Sequence, residues 1–155
     1  MRVFKGKGRL ARVGTILLAV LIIGGCAATI KYSYDTRTGF SGLKSYAWVP
    51  SSSGYWEADS LLETNVLVLA DQLLGQKGFT KVPDKSDLLI SMNYESELGY
   101  SQYGYQLRML TLSIYKSERK ELIWRGTASG SISTDAASDD LKRAVEGILS
   151  NFPPK

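Results

Sequence analysis

The chain has no histidine and only one cysteine among its 155 residues. Without histidine it cannot form a Ser-His or Cys-His catalytic pair or a histidine-ligated metal site. A single cysteine excludes an internal disulfide and a cysteine-built zinc site. We therefore predict no metal, no bound cofactor and no catalytic residues.

Positive charge is concentrated at the beginning of the chain, and the first acidic residue is Asp35. Five of the 19 basic residues lie in the first twelve positions, so removing residues 1–25 leaves 14 basic and 15 acidic residues. Such a balance offers no basic stripe to release counterions from phosphates, and we expect no nucleic-acid partner. The early basic residues are Arg2, Lys5, Lys7, Arg9 and Arg12.

The first 25 residues have the pattern of a secretory signal. A basic stretch is followed by the apolar run from Val13 to Ile23 and then by two small residues, Gly24 and Gly25. A charged region, a short apolar region and small residues before a cleavage point are typical of a signal peptide. We therefore interpret residues 1–25 as a cleaved signal peptide and residues 26–155 as a single mature domain.

The end of this signal, Ile23-Gly24-Gly25-Cys26, resembles the bacterial lipobox. The resemblance implies a diacylglyceryl group on the Cys26 thiol, cleavage before Cys26, and a fatty acid such as palmitate on the new amino group. Several acyl chains anchor a protein stably without a spanning helix. Ala27 replaces the aspartate associated with inner-membrane retention, so we expect an outer-membrane anchor with the domain facing the periplasm.

A retained signal anchor is the alternative to cleavage. Residues 13–30 carry no charge, and these 18 residues approach the length of about 20 that a spanning helix needs. Gly24 and Gly25 interrupt the strongly apolar part, and the cysteine would then occupy this position by coincidence.

The mature part mixes short alternating runs with two helical patterns. Alternation and flanking turn residues predict five strands, at 30–34, 44–49, 87–94, 106–116 and 121–132. On the last of these we place Leu122, Trp124, Gly126, Ala128 and Ile132 on one face, where the small residues would let a helix lie close. A short polar run, 117–120, indicates that the last two strands pair antiparallel.

Two helices follow from the spacing of apolar residues. The first begins at Ser60, where Glu63 completes a capping box, and ends at Lys77-Gly78. The second begins at Ser138 and stops before Pro153. We predict buried stripes of Leu62, Val66, Leu69, Ala70 and Leu73, and of Leu141, Ala144, Val145, Ile148, Leu149 and Phe152. The expected fold is α+β, an antiparallel sheet of about five strands with two helices on one face.

Short motifs spread along the mature chain resemble a family of bacterial lipoproteins that carry the domain of unknown function 4136. They are Tyr34-Asp35, Phe40-Ser41, Lys44-Ser-Tyr-Ala-Trp48, Lys77-Gly78-Phe79, Asp87-Leu88-Leu89-Ile90, Leu122-Ile-Trp-Arg-Gly126 and Phe152-Pro153-Pro154. Gly39 departs from an acid that is common in the family before the phenylalanine. The resemblance implies the fold and an envelope location, but no reaction and no catalytic residue.

The most suggestive functional segment lies between the third and fourth predicted strands. Tyr100, Tyr103 and Tyr105 interleave there with Gly99 and Gly104, and tyrosine supplies large contact area with a polar tip. These three tyrosines form a candidate partner-binding loop; a simple hairpin connection is the alternative. Ser-x-x-Lys spacing, typical of some serine enzymes, occurs three times without its companion motifs, at Ser41/Lys44, Ser113/Lys116 and Ser117/Lys120.

Taken together, these patterns favour a non-enzymatic lipoprotein with a binding or accessory role in the cell envelope. Its expected partners are the membrane, through the lipid on Cys26, and other envelope proteins. The alternative is a small-molecule carrier with a pocket between helices and sheet, which would need a cavity of a few hundred cubic ångströms.

Overall fold

The computed structural model describes residues 28–49, 60–96, 106–135 and 138–155. Within these ranges there are six strands and two helices. The strands are β1 (Thr29–Tyr34), β2 (Ser45–Trp48), β3 (Thr80–Lys81), β4 (Leu88–Ser96), β5 (Gln106–Lys116) and β6 (Glu121–Ser133). The helices are α1 (Ser60–Gln76) and α2 (Asp140–Ser150).

All six strands form one mixed sheet in the order β1-β6-β5-β4-β2-β3. The pairs β1–β6, β5–β6 and β4–β5 are antiparallel, as predicted for the last two strands. However, β2 runs parallel to both β3 and β4, so the predicted purely antiparallel, five-stranded sheet is wrong. The reason is α1, which lies between β2 and β3 in the chain and provides the long crossover that parallel neighbours need.

The helices pack against each other, and one face of the sheet lies beneath them. The predicted inner residues of α2 are all buried, as is Phe152 just beyond it. On α1 the fully buried residues are Leu62, Val66, Ala70 and Leu74, whereas the predicted Leu69 and Leu73 are only partly buried, packed against the same core. Strict spacing by four explains the difference, because it keeps all four residues on the side that meets the core.

The close approach of α2 to the sheet at Gly126 is confirmed. A Cβ atom placed on Gly126 would lie 2.7 Å from Cγ2 of Ile148 on α2 and would also collide with the Trp124 ring. A Cβ on Gly147 would lie 2.9 Å from the side chain of Ile30 on β1. These two glycines let α2 lie directly on β6 and β1.

One predicted face on β6 needs correction. The β5–β6 register shifts between Ile114 and Tyr115, and Leu122 is 38% exposed whereas Ile123 is 1% exposed. A bulge adds one residue to a strand and so interrupts the alternation that sequence patterns rely on. Ile123 therefore joins the core in place of Leu122.

The predicted ends of the helices are confirmed in part. Helix α1 ends at Gln76, and Gly78 has the left-handed φ of +86° expected beyond the end of a helix. Helix α2 begins at Asp140 rather than Ser138, whose Oγ accepts a hydrogen bond from the Asp140 amide at 3.2 Å. The side chain of Ser60 lies outside the described part of the chain, so the capping box with Glu63 stays a prediction.

Candidate functional site

The predicted functional residues lie just outside the described part of the chain. Ile23, Gly24, Gly25 and Cys26 precede Ala28, the first described residue, and the loop with Tyr100, Tyr103 and Tyr105 falls between β4 and β5. The structure therefore gives the position of the elements to which these segments are joined.

The strand directions bring the attachment points of both segments to one end of the sheet. Thr29, at the beginning of β1, pairs with Ser129 of β6, which pairs in turn with Met109 near the beginning of β5. Met109 pairs with Glu95 near the end of β4. The chain following Cys26 and the chain on both sides of the tyrosine segment thus meet the sheet at the same end.

A small cavity lies between β1, β6 and α2 at this end. It encloses about 110 Å³, and its lining includes Ala28, Ile30 and Ala144 together with Arg143 and Asp140. An ion pair between Arg143 and Asp140, 2.6 Å long, borders it. Ligand pockets typically enclose roughly 300–1,000 Å³, so this cavity is too small for a carrier's ligand.

A hydrogen-bonded cluster that we call the Asp71 cluster joins α1 to β2 and β3. Oδ1 of Asp71 accepts hydrogen bonds from the Tyr46 hydroxyl and from Nε1 of Trp48, both at 2.8 Å. Oδ2 accepts one from Nζ of Lys81 at 2.9 Å. Tyr46 and Trp48 are two residues apart on a strand, so both side chains point to the helix side of the sheet and reach the same carboxylate.

Protonation in the Asp71 cluster follows from these contacts. Burial raises the pKa of Asp71, but the hydrogen bonds from Trp48, Lys81 and Tyr46 outweigh it, and the pKa lies below its usual value. Burial, with the hydrogen bond to Asp71, raises the pKa of Tyr46 well above that of a free tyrosine. Asp71 is therefore an anion and Tyr46 a neutral donor at neutral pH, an arrangement that stabilises structure.

A second carboxylate, Asp87, holds the beginning of β2 beside the beginning of β4. Its Oδ2 accepts hydrogen bonds from the backbone amides of Lys44 and Ser45 at 2.9 Å and from the Ser45 hydroxyl at 2.8 Å. The amide of Asp87 donates back to the same hydroxyl at 3.0 Å. These bonds, the Lys44 amide first, hold the pKa of Asp87 below its usual value.

The sheet has a second face, opposite the helices, which the register defines. Ile30 and Gly126 meet α2, so their neighbours Lys31, Arg125 and Thr127 point the other way. Two rows of paired residues cross the middle of this side. We call them the open face; they are Lys31, Thr127, Thr111 and Asn93, and Ser33, Arg125, Ser113 and Ser91.

The open face is hydroxyl-rich and carries two cations. Thr111 and Thr127 are joined through their hydroxyls at 3.0 Å, and Nε of Arg125 donates to Oγ of Ser113 at 3.3 Å. Ser113 is 1% exposed, and its neighbours across the strands are Ser91 and the longer Arg125. Lys31 and Arg125 are both exposed, and within the described residues neither has a carboxylate within ion-pair distance.

The described parts of the chain contain no cluster of three acidic, histidine or cysteine side chains able to hold a metal ion. Of the serines with Ser-x-x-Lys spacing, Ser113 is buried on the open face and accepts its hydrogen bond from Arg125, not from Lys116. Sequence reasoning missed Asp71 and Asp87 as joining residues. The signal that would have found Asp71 is the Tyr-Ala-Trp spacing, which places two donors on one face of β2.

Similar folds occur in several solved structures. A PDZ domain protein from Parabacteroides distasonis aligns with a TM-score of 0.61 at 17% identity, over 83% of this chain but only 36% of that protein. This chain thus spans about a third of its length. PelC from Paraburkholderia phytofirmans, a dodecamer, aligns with a TM-score of 0.57 at 12% identity, over 79% of this chain and 95% of that one.

A DUF4136 family protein from Bacteroides thetaiotaomicron aligns with a TM-score of 0.58 at 12% identity, over 83% of this chain and 95% of that chain. Identities this low show the fold alone. A search of curated proteins gives no match. The sequence itself matches the family described as Domain of unknown function (DUF4136) over residues 30–154. This match covers most of the chain and confirms the resemblance seen in the short motifs: the chain belongs to the DUF4136 family.

Proposed function

We propose that this protein is a lipoprotein anchored through acylated Cys26 in the outer membrane, where its domain faces the periplasm and has a non-enzymatic binding or accessory role. The observation that carries the proposal is the position of the lipobox-like sequence. The family match begins at residue 30 and β1 begins at Thr29, three residues after Cys26. A cleavage before Cys26 would release a whole domain with its first strand intact.

The same junction argues against a retained spanning anchor. Since Thr29 and Ile30 belong to β1 and pair with Ser129 and Ala128, the uncharged run available for a membrane helix is residues 13–28. Sixteen residues of helix reach about 24 Å, less than the hydrocarbon core of roughly 30 Å. None of the helices in the described ranges is long and apolar enough to cross a membrane.

The anchor is tested by lipid labelling and by localisation. We expect the wild-type protein to incorporate labelled palmitate, to begin at Cys26 by mass spectrometry and to fractionate with the outer membrane. Cys26→Ser should lose the label. Ala27→Asp should keep the label and move the protein to the inner membrane. A wild-type protein that begins at Met1 with a free thiol would refute the anchor.

A binding role is supported by the placement of the tyrosine segment between two long strands, β4 and β5, at the sheet end that leads to Cys26. The test compares crosslinked partners in the native envelope for Y100S/Y103S/Y105S and for Val68→Ser, an exposed apolar residue on α1. We expect the triple variant to lose specific crosslinked proteins and Val68→Ser to retain them. Identical crosslinks in both would remove the loop from the proposal.

A second copy of the chain is one partner to be sought in that experiment. PelC, which has a similar fold, assembles as a dodecamer. Within the described residues, β1 pairs only with β6, so its other edge presents free backbone groups next to the stacked rings of Tyr32 and Tyr34. Free strand edges favour pairing with another chain. Mass photometry of the detergent-solubilised lipoprotein would show the oligomer directly.

A further inference from the structure

We propose that the open face of the sheet lies against the anionic phospholipid headgroups of the leaflet that holds Cys26. This inference rests on the proposed acylation of Cys26 and adds to it the orientation of the domain. It is carried by two observations: the charge of the open face and the short distance between that face and the anchor.

The open face carries positive charge and no negative charge. The eight residues of the open face include Lys31 and Arg125 and no acidic residue. The two cations are diagonal neighbours, since Lys31 pairs with Thr127 and Arg125 pairs with Ser33 on the same two strands. The rows on either side carry one carboxylate each: Glu95, on β4 at the opposite side from β1, and Asp35, directly after β1, whose charge is already paired with Arg37. A polar, cationic surface is complementary to a layer of phosphates.

Only a short stretch of chain joins the open face to the lipid anchor. Lys31 follows Cys26 by five residues, so its Cα lies at most about 18 Å from that of Cys26, even with the chain fully extended. The anchor would therefore keep Lys31 within about 18 Å of the acylated residue in every orientation of the domain. A short tether raises the effective concentration of a weak site to the millimolar range.

The attraction of two cations to an anionic membrane is weak but sufficient to orient an anchored domain. One lysine or arginine near an anionic surface favours contact by roughly five-fold, so the two together favour the face-down orientation by roughly 30-fold. A factor of this size is too small to recruit a free protein to a membrane. It is large enough to orient a protein that the lipid already holds there.

The experiment uses the acylated protein in phosphatidylethanolamine–phosphatidylglycerol vesicles containing a spin-labelled headgroup lipid. Acylation blocks Cys26, and the chain has no other cysteine, so an introduced cysteine takes a fluorophore at one position. Ser33→Cys places the dye on the open face, and Ser150→Cys places it on α2 in the helix layer. Both serines are exposed and lie near the end of their element that is farther from Cys26.

We expect quenching several-fold stronger at position 33 than at position 150. The ratio should fall to near one in K31E/R125E, in 1 M salt and in neutral phosphatidylcholine vesicles, because each removes the attraction between charges. K142E/K155E, which changes the net charge equally at exposed lysines outside the open face, should leave the ratio unchanged. K142E/K155E should unfold at the wild-type temperature, since both lysines are exposed, and K31E/R125E should stay folded while losing the hydrogen bond from Arg125 to Ser113.

Equal quenching at the two positions, or a ratio that K31E/R125E leaves unchanged, overturns the proposal. The proposal is also overturned if the dye at position 33 is not quenched and the protein pellets with purified peptidoglycan only when Arg125 is present. The open face would then bind an anionic glycan. Failure of the anchor itself is recognised separately. In that case the protein does not float with vesicles and its mass shows no acyl groups. The proposed orientation is then refuted together with the anchor.

Discussion

The two halves of the sheet are held together in different ways. In the antiparallel half, β5 and β6 are 11 and 13 residues long, and long antiparallel ladders join them to each other, to β4 and to β1. In the parallel half, β2 pairs with β4 through three residues and with β3 through two. Backbone ladders this short contribute few hydrogen bonds. The carboxylate of Asp87 adds bonds between the beginnings of β2 and β4, and that of Asp71 joins β2 and β3 to α1.

The two halves should therefore be sensitive to different kinds of mutation. The antiparallel half depends on the fit of α2 against β6 and β1, so it should be disturbed by added volume. The parallel half depends on side-chain hydrogen bonds, so it should be disturbed by the loss of an acceptor. The predictions below test the two halves against each other, with the free energy of unfolding of the mature chain in urea as the common measurement.

The largest effect is expected at Gly126, in the antiparallel half. Gly126→Val adds a side chain where a Cβ alone would collide with Trp124 and Ile148, and overpacking of this kind costs about 3 kcal/mol. Valine favours strands, so any loss would come from crowding rather than from strand propensity. The control is Gly75→Ala on α1, where a Cβ meets nothing within 4 Å and a gain of about 0.5–1 kcal/mol is expected. A neutral Gly126→Val would contradict the tight contact.

The next largest effect is expected at Asp71, in the parallel half. Asp71→Ala leaves the hydroxyl of Tyr46, a residue only 2% exposed, and Nε1 of Trp48 without their acceptor, at a cost of about 2 kcal/mol. Asp71→Asn keeps one carbonyl oxygen as an acceptor and should lose about half as much. If both variants unfold like the wild type, the Asp71 cluster does not stabilise the parallel half.

Acid should weaken the parallel half through Asp87. Its pKa is lower in the folded chain than in the unfolded chain, so its stabilising contribution is complete above the unfolded pKa of about 3.9. The contribution is lost as the pH falls below that value and through the folded pKa. Asp87→Asn cannot titrate, and its unfolding free energy should therefore fall less steeply between pH 5 and pH 2. If the unfolding free energies of wild type and variant change with pH by the same amount, Asp87 is not the cause of the loss of stability in acid.

The antiparallel half was largely predictable from the sequence because its signals are local. Alternation along β5 and β6 and the apolar spacing of α2 each specify a buried face, and the buried residues of α2 agree throughout. The exception is Leu122, where the bulge between β5 and β6 changes which residue enters the core. A bulge arises from the pairing of two strands, so the sequence of one strand does not reveal it.

The parallel half was not predictable in the same way. β3 has only two residues, too few for any periodicity, and nothing local indicates that β2 lies between β3 and β4. Asp71 lies on α1 more than twenty residues from Tyr46 and Trp48, so its role as their acceptor follows only from the crossover. The candidate site shows the same difference. Cys26 can be identified from a local sequence motif, whereas the residues of the open face are known only when the pairing of the strands is known.

The smallest effect is expected for Lys81, which separates the two kinds of contact made by Asp71. The ion pair between Lys81 and Asp71 is 2.9 Å long, but the lysine side chain is 55% exposed, and exposed pairs contribute only about 0.2–1 kcal/mol. Lys81→Ala should therefore cost far less than Asp71→Ala, although both remove a bond to the same carboxylate. Lys77→Ala, an exposed lysine at the end of α1, is the control for loss of charge alone. Equal losses for Lys81→Ala and Asp71→Ala would mean that the ion pair, rather than the two aromatic donors, holds α1 against the parallel strands.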